Sequence, residues 1–196
     1  MHLLHLLRAR EVDLAEVRAY LDGLPSPKRV AEVLALGRRS QAKLFEAAKG
    51  FLPMTLDDVV PPGVAPMQGV PHEGKNSLPT FTRFAKVFYR PDDSALAKKE
   101  VWGFNRTSRL VTTTVGPGYY VALPHGKGEI LIDYTRAPPR FPKHGPRYLP
   151  NDARLSRFVY HQTQDVLRGV STHVSIGRAS RKGKELDNWF ILCRVD

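Results

Sequence analysis

Between Val101 and Thr135, four runs rich in β-branched and aromatic residues are separated by only two to six residues. The runs are Val101 to Thr107, Leu110 to Val115, Tyr119 to Leu123 and Ile130 to Thr135. Connections this short exclude parallel crossovers, so the runs predict antiparallel strands. Gly116-Pro117-Gly118 reads as a tight bend or bulge and His125-Gly126-Lys127-Gly128 as a hairpin turn. Two further strands are expected at Thr172 to Ala179 and Asn188 to Val195.

Of 18 aromatic residues, only Tyr20, Phe45 and Phe51 precede residue 80, so the two parts of the chain pack with different chemistry. The first part predicts helices. Asp13 can cap a helix ending at the Asp22-Gly23-Leu24-Pro25 turn, and Ser26-Pro27 opens a second that runs to Gly50. Residues 51–79, broken by Pro53, Pro61, Pro62, Pro66, Pro71 and Pro79, predict a covering loop. Phe81, Phe84, Ala85 and Phe88 form a helical stripe, although such residues also suit a strand. Helix is the reading taken over 78–90. A proline-rich link, Ala137 to Pro150, precedes an amphipathic helix over 152–168 with Leu155, Phe158, Val159, Val166 and Leu167 inward.

The sum is an α+β fold: N-terminal helices packed on a mostly antiparallel sheet of about six strands, with a long helix before the last two. Its parts are a helical segment (1–50), a Pro/Gly-rich loop (51–79) and an aromatic-rich core (80–196), within one overall domain at 196 residues.

Thirty Lys and Arg against 19 Asp and Glu give a net charge of +11, which makes nucleic acid or another polyanion a candidate partner. The basic, aromatic-interleaved link carries Arg136, Arg140, Lys143 and Arg147, followed by Arg154 and Arg157, as the residues for such contacts. One cysteine, Cys193, allows no intramolecular disulfide, and with no apolar run long enough to span a bilayer a cytoplasmic chain is expected. Cys193 alternates with Trp189 and Ile191 on one strand face, which predicts a buried, inert thiol.

Local signatures of chemistry are missing. The seven histidines form no HExxH pair, Gly116-x-Gly118 lacks the third glycine and following helix of a dinucleotide loop, and no GxSxG surrounds any serine. Neither a metal nor a cofactor is assigned. On the strand Thr172 to Ala179, His173, Ser175 and Gly177 share one face and Val174 and Ile176 the other. Facing inward, His173 and Ser175 would line a cavity, and Trp102, Phe104, Tyr119, Tyr120 and Tyr134 from neighbouring strands would form its aromatic wall.

Three functions follow, in order. The first is a module binding an apolar or amphipathic small molecule at that aromatic sheet. The second is a nucleic-acid-associated basic protein. The third is an enzyme without a local motif, with His173 first and His161, Tyr134 or Asp133 as further candidates for acid/base roles.

Overall fold

The computed structural model describes residues 2–80, 82–153 and 155–196, and its strands close into an antiparallel barrel of eight. They are β1 (Val70–Asn76), β2 (Arg83–Tyr89), β3 (Val101–Arg106), β4 (Tyr120–His125), β5 (Glu129–Asp133), β6 (Thr163–Gly169), β7 (Val174–Arg181) and β8 (Lys184–Arg194). Each pairs with the next in chain order, and β1 closes the ring against β8 with Gly74 opposite Leu192. Closure leaves no sheet edge to protect. The helices are α1 (Leu3–Leu6), α2 (Leu14–Asp22), α3 (Ser26–Ala35), α4 (Arg38–Ala47), α5 (Leu56–Val59), α6 (Ser94–Ala97), α7 (Arg109–Thr114) and α8 (Ser156–Val159).

The barrel corrects the expected α+β arrangement: the sheet is neither open nor six-stranded, and among the described residues no long helix precedes the last two strands. The errors lie where both faces of a strand are buried or where polar residues point inward. In β2, Phe84, Lys86 and Phe88 face the interior while Ala85, Val87 and Tyr89 are buried on the outside, so apolar residues on both faces imitate a helical stripe. In β6, the inward Thr163 and Asp165 erase the apolar alternation that would have marked a strand. β1 lies within the expected loop, with His72 and Gly74 inward. Leu110 to Val115 is not a strand but falls on α7, whose first turn is capped by the Ser108 hydroxyl. Phe81 and Arg154 lie outside the described residues.

Asp13 accepts hydrogen bonds from the amides of Ala15 and Glu16 and so starts α2. Instead of one helix from Ser26 to Gly50 there are two, because Leu36 and Gly37 are extended. Helices α1 to α4 lie on the outer face of β7 and β8, where Leu3, Val17, Leu21, Val33 and Leu44 join Val174, Ile176, Ile191 and Cys193 in one core. Burial pushes the Cys193 thiol up to about 11, which makes it a poor nucleophile at neutral pH.

An eight-stranded barrel is just wide enough for side chains to fill it. Glycines on two strands make room for the largest of them. A Cβ at Gly103 would overlap the Tyr120 ring, and one at Gly177 the Phe190 ring. The segment preceding β1 plugs one end, with Met54, Leu56 and Val59 joining the interior core. Around that plug, Thr55 and Asp58 form a reciprocal capping box, and Arg194 donates to the Asp58 carbonyl. The connections 107–119 and 134–162 both arise at the opposite end and cover it.

Candidate functional site

Inside the barrel lies a fully buried ionic network. Lys86 on β2 reaches across to Asp165 on β6, Nζ to Oδ2 3.3 Å, with the two side chains 2% and 7% exposed. Its ammonium also donates to Asn105 Oδ1 on β3 at 3.2 Å and to the Tyr134 hydroxyl, while Asn105 Nδ2 donates to the Gly118 carbonyl at 3.1 Å. The rings of Tyr134, Tyr120, Phe190 and Phe84 stand 4.9, 5.0, 5.0 and 5.8 Å from the same nitrogen. Desolvation drives the Lys86 pKa down and that of Asp165 up, and the attraction between them opposes both shifts. Burial likewise raises the Tyr120 and Tyr134 phenols well above their ordinary range. The lysine is already enclosed by its own protein's rings and acceptors.

A second aromatic cluster sits on the outside, formed by Val87, Tyr89, Trp102, Phe104, Tyr119 and Val121. The proline-rich link straps over it. Tyr119 donates to the Pro146 carbonyl at 2.7 Å, Tyr89 to the Arg140 carbonyl at 3.3 Å, and Phe141 and Tyr148 stack at 4.8 Å beside Tyr119. Burial pushes the Tyr119 phenol up to about 12. Trp102 Nε1 donates to Glu100 at 2.7 Å, and the other carboxylate oxygen of Glu100 accepts from Arg136 at 2.8 Å. Arg140 pairs with Asp92 at 2.7 Å.

Between strap and barrel runs a groove of about 470 Å³. Val87, Phe104 and Met67 contribute apolar surface, Gln68 and Thr112 neutral polar surface, and Arg106, Lys143 and His144 cationic or titratable groups. Arg106 is paired with Glu73 at 2.6 Å, whereas Lys143 is exposed. The volume falls within the range of small-molecule sites, and the combination of apolar wall with few polar groups is what such sites use.

A smaller crevice of about 100 Å³ lies at the plugged end, lined by His72, His173, Ser175, Asp58 and the backbone near Gly169. It has room for about three waters at bulk density. His72 is buried, donates from Nε2 to the Val59 carbonyl at 2.9 Å and leaves Nδ1 without a partner. Desolvation lowers its pKa to about 4 despite that bond. Partial burial, followed by the nearby Arg29 charge, lowers the pKa of His173.

The residues expected to form one site are therefore dispersed. Tyr120 and Tyr134 are inside the barrel, Trp102 and Tyr119 outside it under the strap, and His173 and Ser175 at the plugged end. His161 lies exposed after α8. Of the four link cations, Arg136 and Arg140 tie the strap down, Lys143 reaches the groove and Arg147 is exposed. Of the groove residues, Phe104 and Lys143 stand among the sequence candidates, whereas Val87, Met67 and Gln68 do not, because their juxtaposition needs the β2–β3 pairing and a distant strap. Lys86 did carry a signal: one charge among Phe84, Ala85, Val87 and Phe88. Among the described residues, no three His, Cys, Asp or Glu side chains are grouped to hold a metal, and no helix is long and apolar enough to cross a membrane.

Compared with known families, curated proteins and solved structures, the chain matches none.

Proposed function

We propose that this protein is a small-molecule-binding barrel whose ligand lies in the groove under the proline-rich strap. The observation that supports this reading is the groove itself, about 470 Å³ with Val87, Phe104 and Met67 as apolar surface and Lys143 at its border. An apolar or aromatic body with one anionic group satisfies both features. The body displaces water from apolar surface, and the anion meets Lys143. Because Phe104 and Val87 are fixed in paired strands while the strap is tied through Tyr119, Tyr89 and Arg140, the site is preformed and loses little entropy on binding.

The test is titration with 1-anilinonaphthalene-8-sulfonate, an aromatic anion whose fluorescence reports apolar binding. Wild type should show one saturable site. Gln68→Trp, which fills the groove, should abolish it, and Lys143→Glu should weaken it about tenfold, on the order of 1.4 kcal/mol. Binding unchanged by both substitutions would overturn the assignment.

A further inference from the structure

The apolar residues Leu155, Phe158 and Val159, spaced as the buried stripe of a helix, are not buried: they are 50%, 67% and 43% exposed. The turn that carries them is nonetheless held firmly. Ser156 donates to the Val115 carbonyl, Tyr160 stacks on Tyr134 at 5.1 Å between ring centres, and Arg181 Nη2 donates to the carbonyls of Phe158 and Val159 at 2.7 and 3.1 Å. The β7–β8 hairpin tip lies alongside, with the Lys182 amide bonded to the Gln162 carbonyl at 3.1 Å. Residues 155–162 and 181–184 carry four cations, Arg157, Arg181, Lys182 and Lys184, and the carboxylate that follows them, Glu185, is paired with Arg178 at 2.7 Å. An exposed apolar turn, with cations in its own segment and in the adjoining hairpin tip, is thus presented at the barrel end opposite the plug.

We propose that this face docks on an anionic lipid bilayer, with Leu155, Phe158 and Val159 entering the headgroup boundary and the cations meeting lipid phosphates. Charge complementarity favours this occupant. A second copy seated isologously on the same face would bring eight cations together. Single-stranded nucleic acid would find two rings, Phe158 and His161, beside the aliphatic side chains of Leu155 and Val159, which give bases no face to stack on. The proposal does not depend on the groove ligand, since the two surfaces share no residue.

The experiment is co-sedimentation of the full chain with phosphatidylcholine vesicles, with and without phosphatidylglycerol, at low and high salt. Wild type should pellet with the anionic vesicles at low salt and be released at high salt. Lys182→Ala should lower the partition coefficient about fivefold, and Phe158→Ser about tenfold or more, each with unchanged circular dichroism. Failure of wild type to bind anionic vesicles at low salt would overturn the proposal, as would binding indifferent to Phe158→Ser. A wild-type dimer that dissociates on Phe158→Ser would assign the face to a second copy. An oligonucleotide complex lost with the same substitution would assign it to nucleic acid, and either outcome displaces the bilayer.

Discussion

Replacing Lys86 with methionine removes the ammonium but keeps the volume, and so isolates the charge. Asp165 is then left buried beside Tyr134 and Tyr160 with its partner 3.3 Å away gone. Breaking a buried ion pair from one side costs about 3–5 kcal/mol, whereas replacing both partners with apolar residues is often close to neutral. For a chain of this size about 1 kcal/mol lowers Tm by about 2–4 °C, so Lys86→Met should lower it by roughly 6–20 °C. Lys86→Met combined with Asp165→Leu should recover at least about 2 kcal/mol, measured by urea denaturation of wild type, both single variants and the double variant. The pH dependence supplies a second signature. Asp165 has a folded pKa raised above its unfolded value, so its protonated form favours folding at low pH, and that contribution is lost as pH rises through the folded pKa. The Lys86→Met penalty should accordingly shrink as pH falls toward 4. A penalty below about 1 kcal/mol, or a double variant as unstable as the two singles summed, would refute the reasoning.

Three further outcomes are expected. Gly177→Ala should cost about 1–3 kcal/mol by forcing a methyl into the Phe190 ring, and Phe190→Leu in the same chain should relieve part of that loss; additive penalties in thermal denaturation would contradict it. His72 has a folded pKa of about 4 against 6.5 unfolded, so the folded state binds fewer protons between these values and stability should fall as pH drops through that window. The loss amounts to about 3 kcal/mol, and urea midpoints of His72→Leu should lack that part of the slope. Cys193 should react with iodoacetamide at neutral pH only after unfolding; rapid labelling of the folded protein would contradict its burial.

What was legible in the sequence is the local part of the fold. The strands near 101–107, 119–123, 130–135 and 172–179 carry their own β-branched and aromatic residues, and the helix starting after Asp13 carries its own cap. What was not legible depends on distant partners. Lys86 stands out as one charge in an apolar run, but Asp165 looks like a surface charge until β2 and β6 curve to face each other, and β1 reads as loop because closure against β8 shelters His72 and Gly74. The helix expected over 152–168 fails since Thr163, Asp165 and Leu167 point into a barrel. The sequence did place Ser175 and Gly177 on the face opposite Val174 and Ile176, and in the structure the former pair faces inward and the latter meets the helices. Gly177 is nevertheless occupied by the Phe190 ring rather than opening a cavity. The groove was out of reach because Val87, Phe104 and Lys143 come from three separate segments.

The most direct test of the proposed function is a methyl NMR titration of the full chain with 1-anilinonaphthalene-8-sulfonate. Saturable shifts confined to the methyl groups of Val87 and Met67 are the predicted result. Shifts at Leu155 and Val159 with none at Val87 and Met67 would place the apolar probe on the exposed face instead and contradict binding in the groove.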